Sequence, residues 1–190
     1  MNASTSEDTN IRYLWMRNDE VHRIAELDRS EHVTINYVVQ DGALEKVEVD
    51  WHVPPWSVQG EEEHSVAHMI EFCQDHLHNG ARMLGAFDGE KLVGIGILRP
   101  ELSHHMAQLD FLHVSRAYRR RGIASRITRE LCKLAVDDGA EKVYVSATPS
   151  ESAVDFYLSQ DFHLTMDVRP ELFALEPEDI RMVKELISER

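Results

Sequence analysis

The sequence predicts a mixed α/β domain of the α+β kind, with a sheet that is mostly antiparallel. One observation is a pair of hairpin signals: apolar and polar residues alternate on both arms around Asp41-Gly42, and the stretches ARMLGAF and KLVGIGIL flank Asp88-Gly89. Another is a set of four stretches in which apolar residues recur every three or four positions, as in amphipathic helices. At 190 residues the chain is long enough for one well-packed core.

The first half of the chain contains a strand, a short helix, a hairpin and a long helix. In order, they are predicted at residues 11–16, after Asn18, at residues 33–51 and at residues 61–78. We expect Asn18 to cap the short helix. The inner face of that helix is predicted to carry Val21, Ile24 and Ala25. In the long helix, the acidic residues 61–63 would lie in the first turn and complement the helix dipole. Asn79-Gly80 would end this helix.

The second half continues with strands and two further helices. The second arm of the hairpin around Asp88-Gly89 is apolar on both faces, so it should lie inside the sheet. Helices are predicted from Gly122 to near Gly139 and over residues 150–160. The remaining strands are predicted at residues 107–114, 142–147, 162–168 and 180–187.

Composition and charge argue against several classes of protein. A formal net charge of −14 argues against a general nucleic-acid binder, because phosphate backbones are held by broad basic surfaces. Cys73 and Cys132 lie far apart, which favours buried free thiols in a reducing cytosol. The polar start of the chain is unlike a secretion signal, and no apolar run could span a bilayer. We expect a cytoplasmic protein with no membrane partner, comprising a flexible tail over residues 1–10 and a single domain over residues 11–190.

An arginine cluster that is interrupted by a glycine stands out in this acidic chain. It comprises Arg116, Arg119, Arg120, Arg121, Arg126 and Arg129. Gly122 follows three consecutive arginines where a strand passes into a helix, and there unpaired N–H groups and the helix dipole favour an anion. We expect a di- or triphosphate of a small molecule; a solvated basic surface is the alternative. The turn lacks the further glycines of a dinucleotide-binding motif, and it is not a P-loop.

The same stretch resembles a known family. RRRGIA at residues 119–124 matches the R/Q-x-x-G-x-G/A signature of the GNAT superfamily of N-acetyltransferases. LDFLHVSRAYRRRGIASRI resembles that family's central strand, loop and helix, and VYVSATPSESAVDFYLSQDF resembles its next strand and helix. The resemblance implies a GNAT-type twisted sheet of about seven strands with about four helices, and acetyl-CoA as the acetyl donor. The hairpin over residues 33–51 is then an insertion between the first two helices.

The resemblance also implies roles for individual residues. The strand before the turn would hold the pantetheine arm and thioester through its backbone, and the amides of the turn would hold the pyrophosphate. These cofactor-binding residues are Leu112, His113, Val114, Arg119, Arg120, Arg121, Gly122, Ile123, Ala124 and Ser125. Ser150 is a further predicted cofactor-binding residue; it stands where many members have an asparagine that contacts the pantetheine arm, and its shorter hydroxyl can still bond. Asp161 stands where a glycine is usual. Tyr157 matches the tyrosine that protonates the departing thiolate; an ordinary core aromatic is the alternative.

The base that removes a proton from the amine is left open by the sequence. A primary amine is almost entirely protonated at pH 7, so a proton acceptor is needed. Asp110 is our first candidate, because it lies two residues before Leu112 and should share its face of the strand. Further candidates with a suitable pKa are His104, His105 and His113. His64 and His68 have a spacing that can ligate zinc, but no third ligand follows, and we predict no metal site.

The acceptor is expected to enter opposite the coenzyme, between two segments. The first, residues 33–60, joins the first two helices and includes the inserted hairpin, and the second, residues 166–179, joins the last two strands. Large amphipathic side chains on the first segment are Tyr37, Trp51, His52 and Trp56. Pro54 and Pro55 would stiffen the exit of that segment. Acidic side chains on the second segment, which would attract a cationic amine, are Glu171, Glu176 and Glu178. Alternatively, the tryptophans only pin the hairpin to the sheet.

The predicted reaction is therefore transfer of an acetyl group from acetyl-CoA to an amine, with Tyr157 as the general acid. The alternative is a non-catalytic module of the same fold that binds acyl-CoA or a partner protein. A homodimer and the identity of the acceptor remain open at the level of sequence.

Overall fold

The computed structural model describes residues 10–167 and 176–186. The strands of this part of the chain are β1 (Ile11–Trp15), β2 (Glu31–Gln40), β3 (Ala43–Val53), β4 (Arg82–Asp88), β5 (Lys91–Ser103), β6 (Met106–Val114), β7 (Lys142–Ala147), β8 (His163–Leu164) and β9 (Ile180–Glu185). Its α-helices are α1 (Val66–His78), α2 (Ile123–Asp137) and α3 (Glu151–Ser159), and its 3-10 segments are Asn18–Glu26 and Arg116–Tyr118.

One sheet contains seven of these strands, in the order β1-β4-β5-β6-β7-β9-β8. Within it β6 and β7 run parallel, and the other neighbouring strands run antiparallel. β5 lies inside the sheet and is buried on both faces over most of its length, as its apolar sequence predicts. The predicted fold class, a mixed and mostly antiparallel sheet with flanking helices, is confirmed.

β2 and β3 form a separate two-stranded sheet between the N-terminal 3-10 helix and α1. Their turn, Asp41-Gly42, has positive φ at both residues, as a type I′ hairpin turn requires. The hairpin packs against the segment that leads into α3. There the Tyr37 N–H donates to the Pro149 carbonyl at 2.7 Å, and the Tyr37 hydroxyl donates to Asp155 at 2.5 Å. The predicted extra hairpin is thus a distinct unit docked on the domain.

The first helix is a 3-10 helix, and this changes which residues it buries. Val21 and Ile24 in the helix and Leu27 just after it are buried, and they recur every three residues, the period of a 3-10 helix. Ala25 is exposed, so its predicted place on the inner face is wrong. The predicted cap is also wrong, because the residue before Asn18 occupies the N-cap position.

α1 begins at Val66, later than the sequence pattern predicts. The Ser65 hydroxyl accepts a hydrogen bond from the His68 N–H at 3.1 Å and so caps the first turn. Ser57 and Ser65 form an isolated bridge, and the chain turns at residues 62–64 just before the cap, where the Ser65 N–H donates to the Glu62 carbonyl at 2.8 Å. The predicted acidic first turn at residues 61–63 is therefore wrong, since these residues precede the helix.

β6 contains a bulge at Asp110, where two residues of β6 advance against one residue of β5. Asp110 consequently faces α1 and contacts His76. Leu112 instead lies on the α2 side of the sheet, near the position that a Cβ at Gly96 would occupy. The prediction that Asp110 and Leu112 share a face is wrong, because the two-residue alternation does not hold across a bulge.

The two faces of the sheet are covered by two apolar clusters. One packs under α2 and α3, and the other under the 3-10 helix and α1. α2 approaches β5 very closely, because Gly94 and Gly96 present no side chain beneath Ile127 and Leu131. This close packing fixes the start of α2 beyond the end of β6.

Some predicted features lie outside the described residues. They are the tail up to residue 9, Val168 and Ile187 of the last two predicted strands, and Glu171 of the acidic loop. β8 is only two residues long, shorter than the predicted strand. Among the helices of the described residues, none combines the length and the apolar character needed to cross a membrane.

Replacing Gly96 with alanine is expected to destabilise the domain by ~1–3 kcal/mol, the usual cost of overpacking a core. The new Cβ would lie 2.4 Å from Ile127 Cγ2, so the helix or the strand would have to shift. Gly94→Ala is the matched control, because its closest contact would be 3.0 Å and its cost should be smaller. Urea unfolding measures both variants, and equal stability of the two would contradict this account of the packing.

Candidate active site

A gap opens in the sheet between the parallel strands β6 and β7. In the described chain they pair only where Met106–Gln108 lies beside Lys142–Tyr144. Beyond that point β6 remains paired with β5 as far as Val114, while its other edge has no ladder partner. The strand residues predicted to hold the coenzyme, Leu112, His113 and Val114, lie along this free edge. An extended chain with amide groups, such as a pantetheine arm, could pair with it as a further strand does.

The arginine-glycine turn forms the start of α2. Gly122 is the N-cap residue and has φ +78°. Its carbonyl accepts the first helical hydrogen bond, from the Arg126 N–H at 3.0 Å. The preceding N–H groups, on Ile123, Ala124 and Ser125, have no acceptor within the helix, and the positive end of the helix dipole lies among them. An added Cβ at position 122 would meet no atom within 4 Å, so the space in front of the turn is open.

The arginines of the turn have different partners. Arg119 is partly buried, and its Nη1 donates to Glu31 Oε2 at 2.8 Å while its Nε donates to the Val114 carbonyl at 3.2 Å. Arg121 is exposed and lies over the Tyr118 ring, 5.1 Å from the ring centroid. Arg120 is exposed as well and has φ +60°. Arg119 therefore holds the turn to β2, and Arg120 and Arg121 are better placed to meet a phosphate.

Ser150 and Asp161, where the sequence departs from the family pattern, both have a structural explanation. Ser150 is the N-cap residue of α3, and its backbone forms a bridge with Asn36 of the hairpin. Its Oγ lies 3.2 Å from Ser152 Oγ. Asp161 has φ +63°, the left-handed conformation for which glycine is usual, and its carboxylate lies 3.4 Å from Lys184 Nζ.

Tyr157 lies on the buried face of α3. Its ring packs edge-on against Phe156 and Phe162, with centroid distances of 5.2 and 5.3 Å. Burial raises the pKa of Tyr157, and the negative charge of Asp179 raises it further. The hydroxyl is therefore fully protonated at neutral pH, which is the state that a general acid needs.

An open cleft of about 600 Å³ lies between the hairpin and the residues that lead into β9. Its lining residues are Asn36, Trp51, Pro149, Glu176, Pro177, Glu178 and Asp179. Burial raises the pKa of Asp179 to about 7, and a hydrogen bond and repulsion from Glu176 contribute in the same direction. The sequence pattern identified Trp51, Glu176 and Glu178 as acceptor-site residues but missed Asp179. No local motif marks Asp179, whose properties arise from tertiary burial.

The carboxylate of Asp110 is held on the α1 side of the sheet. His76 forms an ion pair with it, and Gln108 Nε2 donates to its Oδ1 at 2.6 Å. His104 and His105 pack together in the β5–β6 turn, at the opposite end of β6 from the arginine turn. The structure thus separates these two histidines from the gap.

The His113 side chain lies on the α1 side as well, among aromatic rings. Trp56 and Phe111 lie near it, with centroid distances of 5.5 and 6.2 Å. Burial, together with the positive charge of Arg119, lowers the pKa of His113 to about 4, so its imidazole is neutral at physiological pH. Trp56 is 7% exposed and belongs to the α1-side core, which favours the pinning role for this tryptophan; Trp51 is the one that lines the cleft.

The parallel strands β6 and β7 separate beside the open start of α2 at Gly122, an arrangement that a coenzyme with a pyrophosphate and an extended amide arm could occupy. Residues 47–162 match the acetyltransferase (GNAT) family. The chain belongs to this family, and it is an acetyltransferase that uses acetyl-CoA as its donor.

Solved structures with the same fold include three acetyltransferases. Nourseothricin acetyltransferase has a TM-score of 0.70 at 17% identity, covering 93% of this chain and 99% of its own. PaiA N-acetyltransferase from Thermoplasma acidophilum, in complex with coenzyme A, has a TM-score of 0.61 at 14% identity and the same coverage. A Bacillus anthracis protein described as a streptothricin acetyltransferase, in complex with acetyl coenzyme A, has a TM-score of 0.67 at 12% identity, covering 91% of this chain and 95% of its own. No curated protein sequence matches the chain.

Gly122→Val is expected to weaken acetyl-CoA binding at least tenfold, because a β-branched residue disfavours positive φ and its side chain would enter the space in front of the amides. Gly139→Val is the matched control. Gly139 lies just beyond the other end of α2, with φ +88° and no atom within 4 Å of an added Cβ. Calorimetric titration should show reduced affinity in the Gly122 variant alone, although both variants lose stability. Equal affinities would refute the assignment of the turn.

Proposed function

We propose that this acetyltransferase acetylates the amine of a cationic small molecule that binds in the cleft between the hairpin and β9. The observation that carries the proposal is the charge of the cleft. Among its described lining residues, Glu176, Glu178 and Asp179 are acidic and none is basic. A carboxylate-lined cleft raises the local concentration of cations and disfavours anions.

Two features of the site support the placement of the donor. The free edge of β6 would pair with the pantetheine arm, and the amides at the start of α2 would bind the pyrophosphate. Tyr157 is close enough to Asp179 for the charge of that carboxylate to raise its pKa. On this interaction we place the general acid beside the cleft, so that an amine in the cleft would meet a thioester held near Tyr157.

The proposed chemistry is direct transfer. The neutral amine attacks the thioester carbonyl carbon, the C–S bond breaks as the tetrahedral intermediate collapses, and the departing sulfur takes the proton of Tyr157. The proton released by the amine passes to a carboxylate. We assign that role to Asp179, since it lines the cleft and its pKa of about 7 lies near the working pH. Asp110, the candidate from sequence, is the alternative base.

The class of acceptor is consistent with the names of two structural neighbours, nourseothricin acetyltransferase and the streptothricin acetyltransferase. These neighbours share only the fold with this chain, so antibiotics are one group of amines to be tested among several. Diamines, amino acids and neutral primary amines of similar size complete a set that separates positive charge from other features.

Tyr157→Phe is expected to lower kcat by ~10²-fold or more, because it removes the hydroxyl and keeps the packing of the ring. The Kd for acetyl-CoA should change by less than twofold. Release of free thiol from acetyl-CoA, measured with the amine set, gives kcat and KM. Cationic amines should have the highest kcat/KM in the wild type.

The contradicting results are distinct. If Tyr157→Phe has the same kcat as the wild type, Tyr157 is an ordinary core aromatic and not the general acid. A preference for neutral or anionic amines would refute the cationic acceptor. Glu178→Gln removes one negative charge from the cleft and keeps the size of the side chain. It should raise KM for the cationic amine and leave KM for acetyl-CoA unchanged.

Asp179→Asn is expected to remove the acid limb of the pH profile of kcat/KM. In the wild type this limb should rise up to about pH 7, where the Asp179 carboxylate becomes ionised. Asp110→Asn is the matched control, and it should retain the limb. A limb that persists in Asp179→Asn and vanishes in Asp110→Asn would assign the base to Asp110 instead.

The same titration affects stability. Since folding raises the pKa of Asp179 above the unfolded value, the native state binds the extra proton and stability falls as pH rises through this window. Above pH 7, Asp179→Asn should therefore have a higher Tm than the wild type, and this difference should shrink toward pH 4.

A further inference from the structure

We propose that the β2–β3 hairpin carries a binding site for a divalent transition-metal ion such as Zn²⁺, with His32, Asp50 and His52 as its ligands. Each of these residues is exposed and offers one ligand atom, and the three atoms lie within 4.8 Å of one another. The site does not rest on the proposed acceptor, and it is distinct from His64 and His68, the pair that the sequence brings to attention.

The hairpin ladder itself brings the ligands together. His32 and His52 are direct cross-strand partners, and their rings stack with a centroid distance of 4.1 Å and an interplanar angle of 6°. Asp50 lies two residues before His52, and its Oδ1 is 2.7 Å from His32 Nε2. All three side chains extend from paired strands, so little backbone order has to be gained when an ion binds.

The donor set suits ions of the zinc type. Two imidazole nitrogens and one carboxylate oxygen are common zinc ligands, and three protein ligands leave a fourth position for water. With Zn–N bonds of ~2.0–2.1 Å, tetrahedral ligand atoms lie roughly 3.3 Å apart, so rotation of exposed side chains is sufficient to close the site. Mg²⁺ and Ca²⁺ prefer sets made of oxygen ligands and should bind weakly.

The electrostatic surroundings favour a cation. The chain as a whole carries a formal net charge of −14. A bound ion would contact all three ligands at once.

A bound ion would join β2 to β3 near the open end of the hairpin. His32 and His52 are one residue from the pair Glu31–Val53, with which the described ladder begins. Trp51, which lies between two of the ligands in sequence, lines the acceptor cleft. The ion would therefore stiffen the strand that forms one wall of that cleft.

The test is calorimetric titration of the untagged, metal-free full chain with ZnCl₂. We expect one Zn²⁺ per chain, and at least tenfold weaker binding in both His52→Ala and Asp50→Asn. Asp50→Asn retains a hydrogen-bonding group beside His32 and removes only the charged ligand. The matched control is His104→Ala with His105→Ala, which removes another exposed pair of contacting histidines, 3.8 Å between centroids, and should change the affinity by less than twofold.

A second measurement locates the ion. Zn²⁺ should slow hydrogen exchange of the β2–β3 amides in the wild type and have no such effect in His52→Ala. The proposal is overturned if the wild type shows no saturable Zn²⁺ binding, if His52→Ala and Asp50→Asn bind as the wild type does, or if the His104/His105 variant alone loses the ion. Far-UV circular dichroism of each variant confirms that it is folded.

Discussion

The separation of β6 from β7 after Gln108 is the constraint on which the rest of the site depends. Strands inside a sheet normally use their hydrogen-bonding groups on both edges, so an unpaired edge in the interior needs another partner. Here the gap opens where β6 bulges at Asp110, and it ends where the chain turns into α2. Close packing of α2 on Gly94 and Gly96 sets the distance between the free edge and the amides at the start of α2.

Glu31 connects the inserted hairpin to both sides of this gap. One of its carboxylate oxygens accepts from Arg119 at 2.8 Å, and the other accepts from Ser152 Oγ at 2.6 Å. The first contact reaches the turn before α2, and the second reaches the start of α3. Since Arg119 is engaged in this way, charge in the turn is divided between an arginine that stabilises the fold and two that remain exposed to solvent.

The sequence predicts which segments form strands and helices, but it does not predict where they are capped, bulged or wound as a 3-10 helix. Hairpins, buried strands and amphipathic helices follow from local periodicity, and the arginine-glycine turn follows from a contiguous motif. The bulge at Asp110, the cap at Ser65 and the 3-10 period that buries Leu27 were not predicted, because each depends on tertiary contacts that override a regular pattern. For the same reason Asp179 was missed, since its raised pKa comes from burial beside Glu176. The roles assigned to Tyr157 and to the coenzyme-binding residues stay predictions.

The attachment of the hairpin has a consequence for how large an acceptor can be. The hairpin is tied to the rest of the domain at two levels. One is its first residue, Glu31, and the other is the cross-strand pair Tyr37–Lys46, whose side chains bond Asp155 at 2.5 Å and Glu151 at 2.6 Å. A strand pair anchored at two levels resists swinging outward as a hinged flap. If the proposed acceptor binds between Trp51 and the acidic residues before β9, this anchoring would hold the width of the cleft nearly constant, and steric exclusion would then limit the size of the acceptor.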